Sequence, residues 1–266
     1  MNLSTFFGLN QRLQKKYAFW RKQHRYHGYV IDGAGELRLL QSGESTDSAL
    51  KEGDPAAAIR NLQSLVAADR RIWTDTNLTF QEQTDQRQKP IRFMRLQVAL
   101  LRLIGGRVVV EVGSSRAPLR HPIAGFNPVC CNDGHSTHQW VAQRYFEVHT
   151  VDINPKSKQL LDSLGYPNLH AYTADGVGFL RDWRGPKIDL LFLDAWDVGT
   201  PAYAEQHQDA FNCARDKLSP RHIIGIDDTD FEGAGKGKFL VPYLRELGYR
   251  QVVDGRQTVF VNFPIE

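Results

Sequence analysis

The rhythm of apolar and polar positions changes near residue 105. Before it, apolar residues recur at helical spacing. Phe6, Leu9, Leu13, Tyr17 and Trp20 share one face of a segment whose other positions are largely basic, a pattern that predicts an amphipathic helix. The spacing returns after Asp54-Pro55, where Ala58, Leu62, Leu65 and Val66 form a stripe and the proline suits a first turn. It returns again over 90–104, with Phe93, Leu96, Leu100 and Ile104 aligned between Pro90 and the stop at Gly105-Gly106. Residues 28–54, rich in Gly, Ser, Asp and Glu, predict a loop or short hairpin with a tight turn near 31–35.

From Val108 the chain alternates between strand and helix. Val108-Val109-Val110-Glu111-Val112-Gly113 reads as a buried parallel strand running into a ligand loop, because β-branched residues suit a doubly covered strand and glycine permits a sharp turn. Further strands are expected at Glu147–Asp152, Leu169–Tyr172, Ile188–Asp194 and His222–Asp228. Helices are expected at Ser136–Tyr145, Ser157–Leu164, Ala204–Leu218 and near Gly237–Leu247. Arg250–Val253 and Thr258–Phe263, joined by Asp254-Gly255, carry a hairpin signal. The order predicts an α/β fold: a doubly wound, mostly parallel seven-stranded sheet over 105–266 that ends in an antiparallel hairpin, with a helical N-terminal extension over 1–104. In such sheets ligands bind beyond the carboxyl ends of the strands. Three of the expected strands end on acids there, and Glu111-Val112-Gly113 ends the first.

Composition narrows the class only slightly. Apolar content of 41% and charged content of 24% are ordinary for a globular chain. No apolar run approaches the ~20 residues that span a bilayer, and no signal-peptide core opens the chain. Three cysteines, two of them adjacent, make no disulfide framework, so a reducing, cytoplasmic setting is expected. Charge is uneven: residues 1–30 hold six basic residues and no acid, which leaves 3 − 6 = −3 for the remainder. A nucleic-acid partner is therefore not expected of the body. The basic helix is expected to dock on the body or on a second copy as a homodimer contact; a membrane surface, a nucleic acid or an acidic substrate is its other possible use.

The stretch from Val108 to the C-terminus, about 60% of the chain, resembles the class I S-adenosylmethionine-dependent methyltransferases. Val110-Glu111-Val112-Gly113 is similar to the family's first motif, which implies Glu111, Gly113, Ser115 and, at the start of the next helix, Gly134 around the methionine part of the cofactor. Asp152, closing Thr150-Val151-Asp152, matches the acid that binds the ribose hydroxyls; a carboxylate accepts two hydrogen bonds from a vicinal diol. Ile153 and Asp175-Gly176 match the adenine side. Phe192-Leu193-Asp194 and Ile226-Asp227-Asp228 resemble the acid pattern of metal-dependent O-methyltransferases, of the catechol and macrolide-sugar types. That likeness implies Mg²⁺ held by Asp194, Asp227 and Asp228, consistent with the oxygen preference of a hard cation. The metal would lower the pKa of a small-molecule hydroxyl acceptor, such as a sugar or phenol, and align it with the methyl group.

The match departs from the family in two places. The ribose acid lies 152 − 113 = 39 residues past the first glycine, against roughly 20 in the usual pattern. The extra residues, 114–133, either shape the acceptor pocket, cover the cofactor, or mark weakened cofactor binding. Cys130, Cys131, His135 and His138 within and after them lack the spacing of a zinc site. The catechol type also carries a lysine three residues after the fourth-strand acid, where this chain has Asp197. The base candidates are then Asp197, poor at its ordinary pKa, and His207, which reads equally as an exposed helix residue. Trp196 and Tyr203 either wall the acceptor or simply pack. The alternatives are a metal-independent methyltransferase acting on nitrogen or a macromolecule, and a non-catalytic binding module. A dehydrogenase is disfavoured because no Gly-x-Gly-x-x-Gly follows the first strand.

Overall fold

A computed structural model describes residues 29–31, 37–39, 54–73, 91–115 and 135–265. The basic segment before Tyr29, the extra loop 116–133 with Cys130 and Cys131, and Gly134 lie outside the described residues, as do the side chains of His135 and His138. Two short strands, β1 (Tyr29–Ile31) and β2 (Leu37–Leu39), pair as an antiparallel hairpin. Helices α1 (Pro55–Trp73) and α2 (Ile91–Ile104) follow, the first with Asp54 Oδ1 accepting from Ala56 N at 2.9 Å as its cap.

Then come β3 (Val108–Val112), α3 (His135–Ala142), β4 (Glu147–Asp152), α4 (Pro155–Leu164), β5 (Leu169–Thr173), α5 (Gly176–Arg181), β6 (Ile188–Leu193), α6 (Tyr203–Ala214) and β7 (Leu218–Ile226). The chain closes with α7 (Leu240–Glu246), β8 (Arg250–Val253) and β9 (Thr258–Val261). Seven strands form one sheet in the order β5-β4-β3-β6-β7-β9-β8. β3 to β7 run parallel, and β9 is antiparallel to both its neighbours. From β3 the chain winds outward through β4 and β5, then returns to place β6 against the other side of β3. The direction of winding reverses between β3 and β6, and in sheets of this kind the ligand crevice lies there, at the strands' carboxyl ends.

All five residues of β3 are buried, because the sheet is covered on both faces. Val109, Val148, Leu190 and Phe192 meet Ala58, Ile59 and Leu62 of α1, Leu96 and Leu100 of α2 and Trp140 of α3 on one face. Val110, Val112, Leu191 and Leu193 meet Leu180 of α5, Phe211 of α6 and Leu240 of α7 on the other. Helices α1 and α2 thus share the sheet's own core. Each large apolar side chain removed from water in this way stabilises the fold by roughly 1.5–3 kcal/mol. Among the described residues, no helix is long and apolar enough to cross a membrane.

Several expected boundaries shift for physical reasons. The expected helix Ala204–Leu218 ends at Ala214; Arg215–Lys217 make a tighter turn so that Leu218 can pair with Ile188 at the start of β7. The helix expected from Gly237 starts only at Leu240, because Glu232–Gly237 form an irregular turn with positive φ at Gly233, Ala234 and Gly235. The short helix α5 was not expected from its Gly-Val-Gly start. It forms because Asp175 caps it, Oδ2 accepting from Gly178 N at 2.7 Å. The closing hairpin turns through Asp254–Gln257 rather than through Asp254-Gly255 alone.

Candidate active site

The strand ends gather one residue set at the crevice: Gly113 after β3, Asp152 closing β4, Asp175 after β5, Asp194 after β6, and Asp227-Asp228 after β7. Gly113 sits between its neighbours. Its N–H donates to Val151 O at 2.9 Å, its φ is +95°, and a Cβ there would lie 2.5 Å from the Asp194 carbonyl oxygen. Only glycine meets both conditions. Gly176 is equally confined, since a Cβ would come within 2.3 Å of Val112 Cγ1.

On one side of Gly113, two backbone amides fix the Asp152 carboxylate: Asn154 N donates to Oδ1 at 2.7 Å and Ser114 N to Oδ2 at 3.2 Å. Each carboxylate oxygen keeps a further lone pair for another donor. Next to it Ile153 is 76% exposed, a large apolar side chain held out in the open beside a carboxylate. Asp175 is exposed and gives one oxygen to its own helix cap. Ser115 is buried beside Ser114.

Glu111 does not open onto the crevice. The alternation of β3 turns it toward α3, where it is fully buried and accepts from Thr137 Oγ1 at 2.5 Å, Thr150 Oγ1 at 2.7 Å and Trp140 Nε1 at 3.2 Å. Burial pushes its carboxyl above the ordinary range against these hydrogen bonds. In this position it ties α3 to β3 and β4 instead of facing a ligand.

On the other side of Gly113, one carboxylate oxygen from each of Asp194, Asp227 and Asp228 lies within 4.8 Å of the others. Lys236 Nζ stands between two of them, 2.6 Å from Asp194 Oδ1 and 3.1 Å from Asp228 Oδ2. Arg256 Nη2 lies 2.5 Å from Asp228 Oδ1 and 3.7 Å from Asp227 Oδ2. Gln257 Nε2 donates to Asp227 Oδ1 at 2.8 Å, and Gln97 Nε2 of α2 donates to Gln257 Oε1 at 2.9 Å, so a buried glutamine pair links α2 to the cluster. Burial, with the charges of Asp194 and Asp228, pushes the Asp227 carboxyl up to about 8. Burial also pushes Asp194 up, against the pull of Lys236. Burial alone would push the Lys236 ammonium down; the surrounding carboxylates outweigh it and hold it above the ordinary lysine value.

His207, which the sequence also allows as an exposed helix residue, is fully buried. Its Nδ1 lies 2.6 Å from the Tyr203 carbonyl, which can only accept, so the proton is assigned to Nδ1 and the lone pair to Nε2. Nε2 has no hydrogen-bond partner among the described residues. Trp196 meets the imidazole edge-on at 5.1 Å and lies over Gly176, within about 3.1 Å of where a Cβ would stand. Trp196 itself holds a positive φ of 48°. Asp197 is exposed at the rim, and its carbonyl accepts from Thr200.

Burial pushes the His207 pKa from 6.5 down to about 4. Between those values the unfolded chain binds a proton that the folded chain refuses. Stability is therefore complete above pH 6.5 and falls as pH drops toward 4. At about 1.36 kcal/mol per pKa unit, urea unfolding at pH 7 and pH 5 should differ by about 2 kcal/mol on account of His207, a difference that His207→Gln should remove.

Lys236, Arg256, Gln257 and Gln97 do not stand out in the sequence as site residues. One signal was present: a lysine flanked by glycines in Gly233-Ala234-Gly235-Lys236-Gly237, eight residues past Asp228.

No family model matches the chain, and no curated protein matches it. Among solved structures, it is similar to a putative caffeoyl-CoA O-methyltransferase from Staphylococcus aureus, at 11% identity over 76% of this chain and 97% of that one, with a TM-score of 0.46. It is similar to TrmN from Thermus thermophilus at 17% identity, over 63% and 48%, with a TM-score of 0.39. It is also similar to MycE methyltransferase from the mycinamycin biosynthetic pathway, solved with Mg and SAH, at 14% identity, over 75% and 53%, with a TM-score of 0.42. The chain spans about half the length of TrmN and of MycE. The strand order, five parallel strands closed by an antiparallel hairpin, is that of the Rossmann-like methyltransferase fold.

Proposed function

We propose that the chain transfers a methyl group from S-adenosylmethionine to a hydroxyl of a small-molecule acceptor. The observation that carries this reading is the division of labour on either side of Gly113. Asp152 and the exposed Ile153 form one half of the crevice, and the acid cluster with His207 forms the other. Bound S-adenosylmethionine supplies an electrophilic methyl group on a sulfonium. Asp152 accepts from the ribose diol, Ile153 and Asp175-Gly176 take the adenine side, and the Gly113–Ser115 backbone lies along the methionine part. Asp194 and Asp228 position the acceptor hydroxyl, with Trp196 and Tyr203 as its wall. The hydroxyl becomes strongly acidic as its oxygen takes the methyl group, so the open lone pair of His207 Nε2 can receive the proton although burial makes the imidazole a weak base.

Magnesium is the ion expected of this acid pattern. Its donors are chemically right, being three carboxylates within reach of one another. The cluster as built does not fit the ion, however. Lys236 fills the space between Asp194 and Asp228, and one Asp227 oxygen is engaged by Gln257. A reading without a metal is favoured on that ground.

The test is turnover. The protein, given S-adenosylmethionine and a panel of sugar and phenolic hydroxyls, should release S-adenosylhomocysteine and a methyl ether in equal amounts. Replacing a general base typically costs about 10²–10⁴ in rate, so His207→Gln should lower kcat by about a hundredfold or more with little change in KM. Methylation at nitrogen only, or kcat unchanged in the variant, would contradict the reading.

A further inference from the structure

The cation that completes the acid cluster belongs to the chain itself. Lys236 Nζ contacts Asp194 Oδ1 at 2.6 Å, Asp228 Oδ2 at 3.1 Å and the Asp194 carbonyl at 3.2 Å. An ammonium has three N–H donors, and here three oxygens receive them. The side chain is 1% exposed. A lysine is buried to this degree only when paired.

The backbone puts it there. Gly235 adopts φ 47° and ψ −135°, and a Cβ at that position would lie 1.9 Å from the Asp228 carbonyl oxygen. The N–H of Lys236 donates to that same carbonyl at 3.2 Å. The turn is thus pressed against Asp228 by a glycine that admits no substitute, and the next side chain is delivered between the acids. Arg256 closes the far side on Asp228 and Asp227. Three carboxylates therefore face two fixed cations.

We propose that the Lys236 ammonium is the resident cation of this cluster, standing between Asp194 and Asp228 where a divalent metal would bind, so that the three acids operate without a metal ion. The inference deepens the proposed methyl transfer and rests on that reading for its role: Lys236 is a positioning residue that holds Asp194 and Asp228 toward the acceptor. A divalent ion can enter only if the ammonium leaves and gives up three hydrogen bonds.

The experiment is a titration of the full chain with Mn²⁺, followed by electron paramagnetic resonance and by melting temperature. Wild-type protein should bind no stoichiometric Mn²⁺ at millimolar concentration, and its melting should not respond. Lys236→Ala vacates the position and should bind one Mn²⁺ at least about tenfold tighter than wild type. Its melting temperature should rise with the ion, and a second change, Asp227→Asn, should abolish the gain. Wild-type protein that binds one Mn²⁺, lost in Asp227→Asn, overturns the proposal. So does a folded Lys236→Ala protein that binds Mn²⁺ no better than wild type. If Lys236→Ala fails to fold with or without Mn²⁺, the wild-type arm decides: no binding supports the proposal, and binding lost in Asp227→Asn overturns it. Titrating S-adenosylmethionine into the same preparations separates the two claims, since failure to bind it sinks the methyltransferase reading and leaves the Mn²⁺ result standing.

Discussion

Gly113→Ala is expected to lose most of the protein's stability margin and all measurable S-adenosylmethionine binding. Two costs combine at this position. An alanine at φ +95° sits in a region that L side chains rarely adopt, and its Cβ would lie 2.5 Å, 2.6 Å and 2.7 Å from Asp194 O, Asp194 C and Ala195 N. All three are backbone atoms and cannot rotate aside. The strain of the dihedral and the overpacking together amount to roughly 3–5 kcal/mol, against a typical total of about 5–15 kcal/mol. Relief requires the end of β6 to move away from β3, which carries Asp194 with it and widens the crevice. Chemical denaturation measures the first effect and calorimetry the second. An unfolding free energy within about 1 kcal/mol of wild type, with binding intact, would show that β3 and β6 do not approach as described.

Lys236→Met is expected to cost about 3–5 kcal/mol at pH 8, the range for removing one partner of a buried ion pair. Methionine keeps much of the stem's volume, so the loss reports charge more than packing. Asp194 and Asp228 lose the ammonium, and among the described residues Arg256 is the cation that still faces the cluster. The pH dependence follows from the sign of the shifts. Lys236 is held above the ordinary lysine value, so its stabilisation is fully present below pH 10.5 and is lost only above it. In the variant, the carboxylates can recover by taking up protons, so the deficit should shrink as pH falls from 8 toward 5. A loss below about 1 kcal/mol at pH 8 would place the ammonium outside the cluster.

The sequence carried the sheet better than the site. Strand β4 runs over Glu147–Asp152 as its apolar alternation and terminal acid suggest, and α2 stops before Gly105-Gly106. These are local signals, written in periodicity and capping. The acids of the crevice were legible for a related reason: parallel strands bring consecutive carboxyl ends to one edge, so a strand-terminal Asp declares its own location. The cations were not legible. Lys236 reaches Asp194 across 42 residues of sequence and Arg256 reaches Asp227 across 29, both from turns whose glycines read only as chain reversals. What places Lys236 is the fit of Gly235 against a carbonyl, and no side-chain pattern encodes it.

Two further residues have surroundings that their sequence context does not suggest, for opposite reasons. Glu111 ends a strand next to a glycine and so looked like a ligand residue, but the alternation of β3 points it at Thr137 and Trp140. His207 looked exposable in a polar helix, yet Ala204, His207, Phe211 and Ala214 form one buried stripe at helical spacing. That stripe was visible in the sequence, hidden only by the small side chains that compose half of it.

The central claim is that this crevice binds S-adenosylmethionine through Asp152. Isothermal calorimetric titration of the full chain tests it most directly. Wild type should bind one equivalent in the micromolar range. Hydrogen bonds to a charged group contribute about 1.5–3 kcal/mol each, so Asp152→Ala should weaken binding by about a hundredfold or more while remaining folded. A folded wild-type protein that takes up no S-adenosylmethionine, or an Asp152→Ala variant that binds it equally well, would contradict the account.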